Sequence, residues 1–423
     1  MTGEPSVLII APHGSYRTMP FITAANRMGM HALIASEGKH SIVSAYAQGI
    51  HIDFQDEEQA FLHLLRASRD HYVVGVIGTD DATTELAARL AQALKLPHND
   101  PAAVRIARRK DEARSCLSLH KVPVPKYQRI DLQQSLNDQL AQVHYPVVVK
   151  PVALSASRGV IRANNQSELL AAIARIQQLL NSIQDLEADA RHYLLVEEYI
   201  QGEEIAVEGM LFRGELSILA VFDKPDSLEG PFFEETYYIT PTRHRAAQQH
   251  EIQRVVQQAC AAYGLKEGPV HAECRINGNG VFILEVAART IGGLCGRLLQ
   301  FGTGYSLEEL VLAHAMGTPL TCNSEQGAAG VLMIPIPRAG MLKRVEGLLD
   351  ALQVPYIEDI NIQVREGHEL IPLPEGASYL GFIFSRAPST QLAEQALRDA
   401  HARLQFVIAP IWKLNQGVST CVA

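Results

Sequence analysis

Apolar and polar positions follow two alternating regimes along the first hundred residues. Unbroken apolar runs, SVLIIAP at 6–12, MHALIAS at 30–36 and VVGVIGTD at 73–80, read as buried strands, with HIDF at 51–54 as a short further one. Between them, the stretch running to about Met28, DEEQAFLHLLRAS at 56–68 and TTELAARLAQALK at 83–95 carry the helical period. Strands alternating with helices predict a parallel sheet in an α/β layer over residues 1–100, ending at the breaker-rich LPHNDP.

The pattern then changes. Residues 103–120 read as one helix, stopped by KVPVPKY. An α+β region follows, with strands at PVVVKP, HYLLVEEYI and EIAVEGMLFRGELSILAVF and a long helix near 166–189. A polar, glycine-containing stretch opens the last region at 321. There GVLMIPI, INIQVREG and SYLGFIFSRA read as strands, while LKRVEGLLDALQ and QLAEQALRDAHARL read as helices. The expected division is 1–100, 101–320 with a lid at about 121–200, and a separate α+β unit at 321–423. No fixed-period repeat is present.

Composition narrows the class. With 423 residues, 47% hydrophobic and 20% charged, the chain is expected to fold as several globular units. A net charge of -9 argues against a nucleic-acid binder, which needs a basic footprint. The six cysteines form no CxxC pair, which argues against a zinc site or a disulfide framework. No apolar stretch approaches the roughly 20 residues that span a bilayer, so no membrane contact and a cytoplasmic location are expected.

The most informative segment is HAECRINGNGVFILEVAAR at 271–289, two strands joined by a glycine-rich turn. With a three-residue loop at Gly278 to Gly280, Asn277 pairs with Val281 and Glu273 falls opposite Glu285. Both carboxylates then leave one face, where a shared divalent cation relieves their repulsion. An ordinary hairpin with two solvated acids is the competing reading. Arg289 lies four residues on, placed to bind phosphate or a developing anion. Lys150 ends an apolar strand and is followed by a small-residue loop with Ser155, Ser157 and Gly159. Glu197, Glu198, Tyr199 and Ile200 form an extended segment suited to an adenine edge, with Glu204 beyond a turn at Gly202. Lys110 sits in a basic helical run.

Taken in order, these pieces resemble the ATP-grasp superfamily across essentially the whole chain. The resemblance implies an ATP-grasp fold with an N-terminal Rossmann-like domain and a C-terminal α+β subdomain. It implies ATP phosphates at Lys110 and Lys150, a closing loop at Ser155, Ser157 and Gly159, an adenine hinge at Glu197 to Ile200, and ribose at Glu204. Glu273 and Glu285 would hold magnesium, as one or two ions replaceable by manganese, and Arg289 would steady the acyl phosphate. One departure is Ala287, where many members place asparagine. EVAARTIGGLCGRL and the C-terminal region look like the bacterial L-amino-acid (dipeptide) ligases rather than biotin carboxylase. That branch implies a carboxylate joined to an amine through an acyl phosphate. Glu234 and Glu235 are candidates for a substrate ammonium, and Arg243 or Arg297 for its carboxylate. His271 shares a strand face with Glu273, although a packed strand histidine is the competing reading. His13 is a candidate from the first loop. Similar enzymes often form homodimers. Competing readings are a carboxylase or purine-type ligase of the same superfamily, and an ATP-binding protein without catalysis. A nicotinamide oxidoreductase is disfavoured by APHGSYRT, which lacks the glycine spacing for pyrophosphate.

Overall fold

Among the described residues the strands form four sheets. The computed structural model describes residues 4–37, 48–184, 186–299, 304–320 and 327–411. β1 (Pro5–Ile10), β2 (His31–Ser36), β3 (Gln48–His51) and β4 (Tyr72–Gly78) form a parallel sheet in the order β3-β2-β1-β4. Their apolar runs are unbroken because both faces are covered. Leu8, Ile10 and Leu33 pack with Leu64, Leu86 and Leu90, while Val7, Ile9 and Ile34 pack with Phe21, Ile22 and Ala25. The short third strand lies at 48–51, ahead of the expected 51–54, because it is set by pairing with β2 rather than by its own hydrophobicity.

The single helix expected over 103–120 is two, Pro101–Arg108 and Lys110–Leu119. Arg109 is extended between them, with φ −102° and ψ 110°. Its guanidinium bonds Asp111 and Asp189, and the Lys110 N–H donates to the Val152 carbonyl at 2.9 Å. The contacts with Asp189 and Val152 come from distant segments, so helical periodicity does not announce the break.

β5 (Tyr127–Asp131), β6 (Val147–Pro151), β7 (Ile161–Ala163) and β8 (Tyr193–Glu198) form an antiparallel sheet in the order β5-β8-β6-β7. The helix Gln166–Ser182 packs on it through Leu169, Ile173, Ile176 and Leu180, and stops short of the expected 189.

The largest sheet has eight strands, ordered β13-β12-β9-β10-β11-β14-β18-β16. They are β9 (Glu203–Phe212), β10 (Glu215–Asp223), β11 (Tyr237–Thr240), β12 (Gly268–Asn277), β13 (Gly280–Ala287), β14 (Ala328–Ile334), β16 (Ile357–Ile362) and β18 (Gly381–Ala387). Strands from both sides of residue 321 therefore pair in one sheet. Residues 321–326 of the polar stretch, with Cys322, lie outside the described residues, as does Cys421. LKRVEGLLDALQ is not one helix. It begins in β15 (Gly340–Glu346), turns at Gly347 with φ +83°, and only then forms the short helix Leu348–Leu352. β15 is claimed by β17 (Glu369–Leu370) and β19 (Gln405–Ala409), a long-range pairing that outweighs local helical preference. The class is α/β followed by α+β. Among the described residues, no helix is long and apolar enough to cross a membrane.

Candidate active site

The β12–β13 hairpin sets the site. Its turn is tighter than the sequence suggests: Asn277 pairs with Gly280, not Val281, around Gly278 and Asn279. Left alone, that register would place Glu285 on the same face as Val281 and Ile283, which are buried in the core. A bulge intervenes, and Glu273 again lies opposite Glu285. Leu284 and Glu285 now both face the chamber, and Val286 returns to the core. One extra residue thus re-aims the carboxylate.

The chamber has a volume of about 630 Å³ and lies among the parallel, four-stranded antiparallel and eight-stranded sheets. Every second residue of β12 from His271 lines it, namely His271, Glu273 and Arg275. Across the pairing, β9 places Glu208 opposite His271 and Glu204 opposite Arg275. His271 Nδ1 lies 3.2 Å from Glu208, and Nε2 lies 3.7 Å from Glu273. Burial disfavours the imidazolium, but the hydrogen bonds to Glu208 and Glu273 outweigh it and raise His271 to about 9. One carboxylate oxygen from each of Glu204, Glu235 and Glu273 lies within 4.8 Å of the others. Buried Lys224 bonds Glu204 at 2.9 Å and also Glu235. Burial, followed by the charge of Glu273, raises Glu235 to about 7 despite Lys224.

Lys110 opens its helix at the chamber wall. Its ammonium donates to the Leu154 carbonyl at 2.8 Å and lies 3.2 Å from Glu285. Lys150 reaches Glu197 at 2.6 Å, and Arg114 donates to the other oxygen of that carboxylate at 2.5 Å. Burial opposes the charge on Glu197, but Arg114 and Lys150 hold its carboxyl below the usual range. Burial lowers Lys150 in turn. Glu198, Tyr199, Ile200 and Glu204 continue the wall. Arg289, at the far end, bonds Asp81 at 2.8 Å, and Arg17 pairs with Asp80. Both acids stand at the end of β4, where the Asp81–Ala93 helix begins.

Ser155 and Ser157 line the chamber, whereas Gly159 does not. Gly159 has φ +70°, and a Cβ there would meet Pro151 Cγ at 2.8 Å, so its role is conformational. Its N–H donates to the Pro374 carbonyl at 2.9 Å. Of the substrate candidates, Glu235 and His271 line the chamber and Glu234, Arg243 and Arg297 do not. Arg243 pairs with Glu394, and Arg297 bonds Asp359 while its guanidinium lies 4.0 Å from the Phe384 ring. His13 is exposed; its neighbours Tyr16 and Arg17 reach the chamber instead. Sequence reading passed over Glu208, Lys224, Arg275 and Arg114. For Glu208 and Arg275 the strand period was the available signal, since they follow Glu204 and Glu273 at even spacing on β9 and β12. Lys224, beyond the end of β10, carries no such signal.

Carboxylates and a lysine-rich opposite wall suit a hard divalent cation carrying a polyphosphate. Glu273 and Glu285 are paired across β12 and β13 with side chains partly open, 27% and 30%.

Three family models match the chain: ATP-grasp N-terminal domain at 22–98, ATP-grasp domain at 143–297, and L-amino acid ligase C-terminal domain 2 at 332–409. Human (Homo sapiens) carnosine synthase 1 is 28% identical over 289 residues, covering 62% of this chain and 33% of that protein. Dapdiamide A synthase of Enterobacter agglomerans is 24% identical over 246 residues, covering 57% of each. The chain therefore spans only part of these relatives. The crystal structure of an L-amino acid ligase from Bacillus licheniformis superposes with a TM-score of 0.80 at 24% identity, covering 96% of this chain and 100% of that one.

Proposed function

Because this chain belongs to the ATP-grasp superfamily, whose enzymes use ATP with divalent metal ions, we propose that it is a carboxylate–amine ligase acting on amino-acid-type substrates. The observation that carries this reading is the convergence of Glu273, Glu285, Lys110 and Arg289 on one chamber. The L-amino acid ligase C-terminal match at 332–409 and the fold shared with an L-amino acid ligase support the choice of branch.

ATP occupies the space between the four-stranded antiparallel sheet and the eight-stranded sheet, with adenine at Glu198 to Ile200 and ribose at Glu204. Lys110 and Lys150 neutralise the phosphates, and the Ser155 and Ser157 loop covers them. Glu273 and Glu285 would hold magnesium, which when bound would supply neutralisation of phosphate charge. A substrate carboxylate oxygen attacks the γ-phosphorus, the bond to the bridging oxygen breaks, and ADP leaves. Arg289, held by Asp81, steadies the carboxylate and then the acyl phosphate. The second substrate's amine attacks the acyl carbon, phosphate departs, and an amide forms. Glu235, raised to about 7, takes the ammonium and its proton. With the Ser155 and Ser157 loop closed over it, the chamber would keep water from the acyl phosphate.

The test is ATP-dependent phosphate release across a panel of amino acids, singly and in pairs, with product masses. The reading expects ADP, phosphate and a dipeptide-like product with at least one pair. Release with bicarbonate alone, or ATP binding without release in any pair, would overturn it.

A further inference from the structure

Arg275 is the most heavily engaged cation of the chamber wall and none of the steps above uses it. It is 3% exposed. Its Nε donates to Glu204 at 2.9 Å, Nη1 to the Ile200 carbonyl at 2.7 Å, and Nη2 to the Leu228 carbonyl. The guanidinium lies 4.8 Å from the Tyr199 ring centroid and 5.8 Å from that of Phe233. Asn277, two residues on, donates to the Gln201 carbonyl at 2.8 Å. Gly202 closes against β12 so tightly that a Cβ would sit 2.1 Å from the Ile276 oxygen.

We propose that Arg275 is a positioning residue for the nucleoside end of the site. Resting on the nucleotide reading above, it fixes the 199–204 hinge and the Glu204 carboxylate to the strand that carries Glu273. The geometry separates this role from a plain buried ion pair. A single charge partner would satisfy Glu204, and Lys224 already supplies one. Arg275 adds a planar fork whose donors reach a carboxylate and two main-chain carbonyls on separate segments. A lysine has one ammonium on a flexible stem and cannot span the three acceptors. Arg275→Lys therefore keeps the charge, releases the Ile200 peptide and the loop at Leu228, and leaves the phosphate wall of Lys110 and Lys150 untouched. The nucleoside part of the affinity should fall while the phosphate part stays.

Calorimetry with ATP, GTP and inorganic tripolyphosphate, each with magnesium, reads this split. For the unaltered protein, failure to bind ATP would count against the nucleotide reading itself. If it binds, Arg275→Lys should weaken ATP about 10- to 100-fold, leave tripolyphosphate within about twofold, and shrink the ATP over GTP preference. Unchanged ATP affinity, or an equal loss for ATP and tripolyphosphate, would overturn the proposal. Asn277→Ala is the milder companion, at a partly exposed position. It should weaken ATP about threefold without affecting tripolyphosphate, and an unchanged ratio between the two ligands would count against the hinge assignment.

Discussion

The chamber has two kinds of wall, and they are built differently. One is sheet: Glu204 on β9, His271, Glu273 and Arg275 on β12, and Glu285 on β13, each located by a strand period and a pairing register. The other is loop. Ala156 and Ser157 carry φ near +55°, and this segment is held by the 371–379 region. Gly159 donates to Pro374, Arg158 Nε donates to the Glu375 carbonyl at 3.1 Å, and Arg175 grips the Glu375 carboxylate at 2.5 and 2.9 Å. Ser378 and Tyr379 of the same region enter the chamber. The sheet wall positions charge rigidly through buried pairs, while the loop wall rests on half-exposed contacts that open at small cost. The sheet wall is accordingly suited to binding and chemistry, and the loop wall to admission and closure.

Substitutions in the sheet wall should therefore remove activity, and substitutions in the loop wall should change how well it is coupled. Glu285→Ala is expected to lower ATP-dependent turnover by about 10³-fold or more, since a lost metal ligand forfeits several kcal/mol of charge stabilisation. Its melting temperature should move little, because Glu285 is partly open to solvent and Lys110 keeps its bond to the Leu154 carbonyl. Turnover near the parental value would break the assignment. Lys150→Ala should weaken ATP binding by about 10- to 100-fold and lower stability too, because Glu197 would keep only Arg114. Nucleotide titration alongside urea unfolding checks both parts.

The third prediction concerns pH. His271 is raised from its ordinary value to about 9, so its stabilisation is complete below pH 6.5 and is lost as pH rises through about 9. That shift corresponds to about 3 kcal/mol. Urea unfolding of the parent should show stability falling across this window, and His271→Gln should flatten the fall. Equal slopes would show that the sheet wall is not held by a charged imidazole. The smallest effect is expected in the loop wall. Glu375→Ala should cost less than about 1 kcal/mol of stability and leave ATP affinity within about twofold. It should nonetheless raise phosphate release without amide formation severalfold, which the ratio of phosphate to product measures.

What was legible in the sequence divides along the same line. Glu273 and Glu285 were readable because strands have a period of two and glycines mark the turn. Their opposition is reached by a different route, through a tighter turn compensated at Leu284. The small-residue loop was visible, but its partner lies more than 200 positions away, and nothing near Arg158 or Arg175 announces Glu375. The break at Arg109 and the strand in LKRVE have the same origin, since distant partners override local periodicity. Arg243 and Arg297 illustrate the converse. Their charge invited a substrate role, yet each is spent on a carboxylate at the surface.

The central claim is that a substrate carboxylate takes the γ-phosphoryl group of ATP before an amine displaces it. The most direct measurement supplies the amino-acid panel with ¹⁸O-labelled carboxylates and analyses the released phosphate by mass spectrometry. The account predicts ADP, one ¹⁸O carried into inorganic phosphate, and an amide product in matching amount. Phosphate released without label, or label found in AMP, would contradict it.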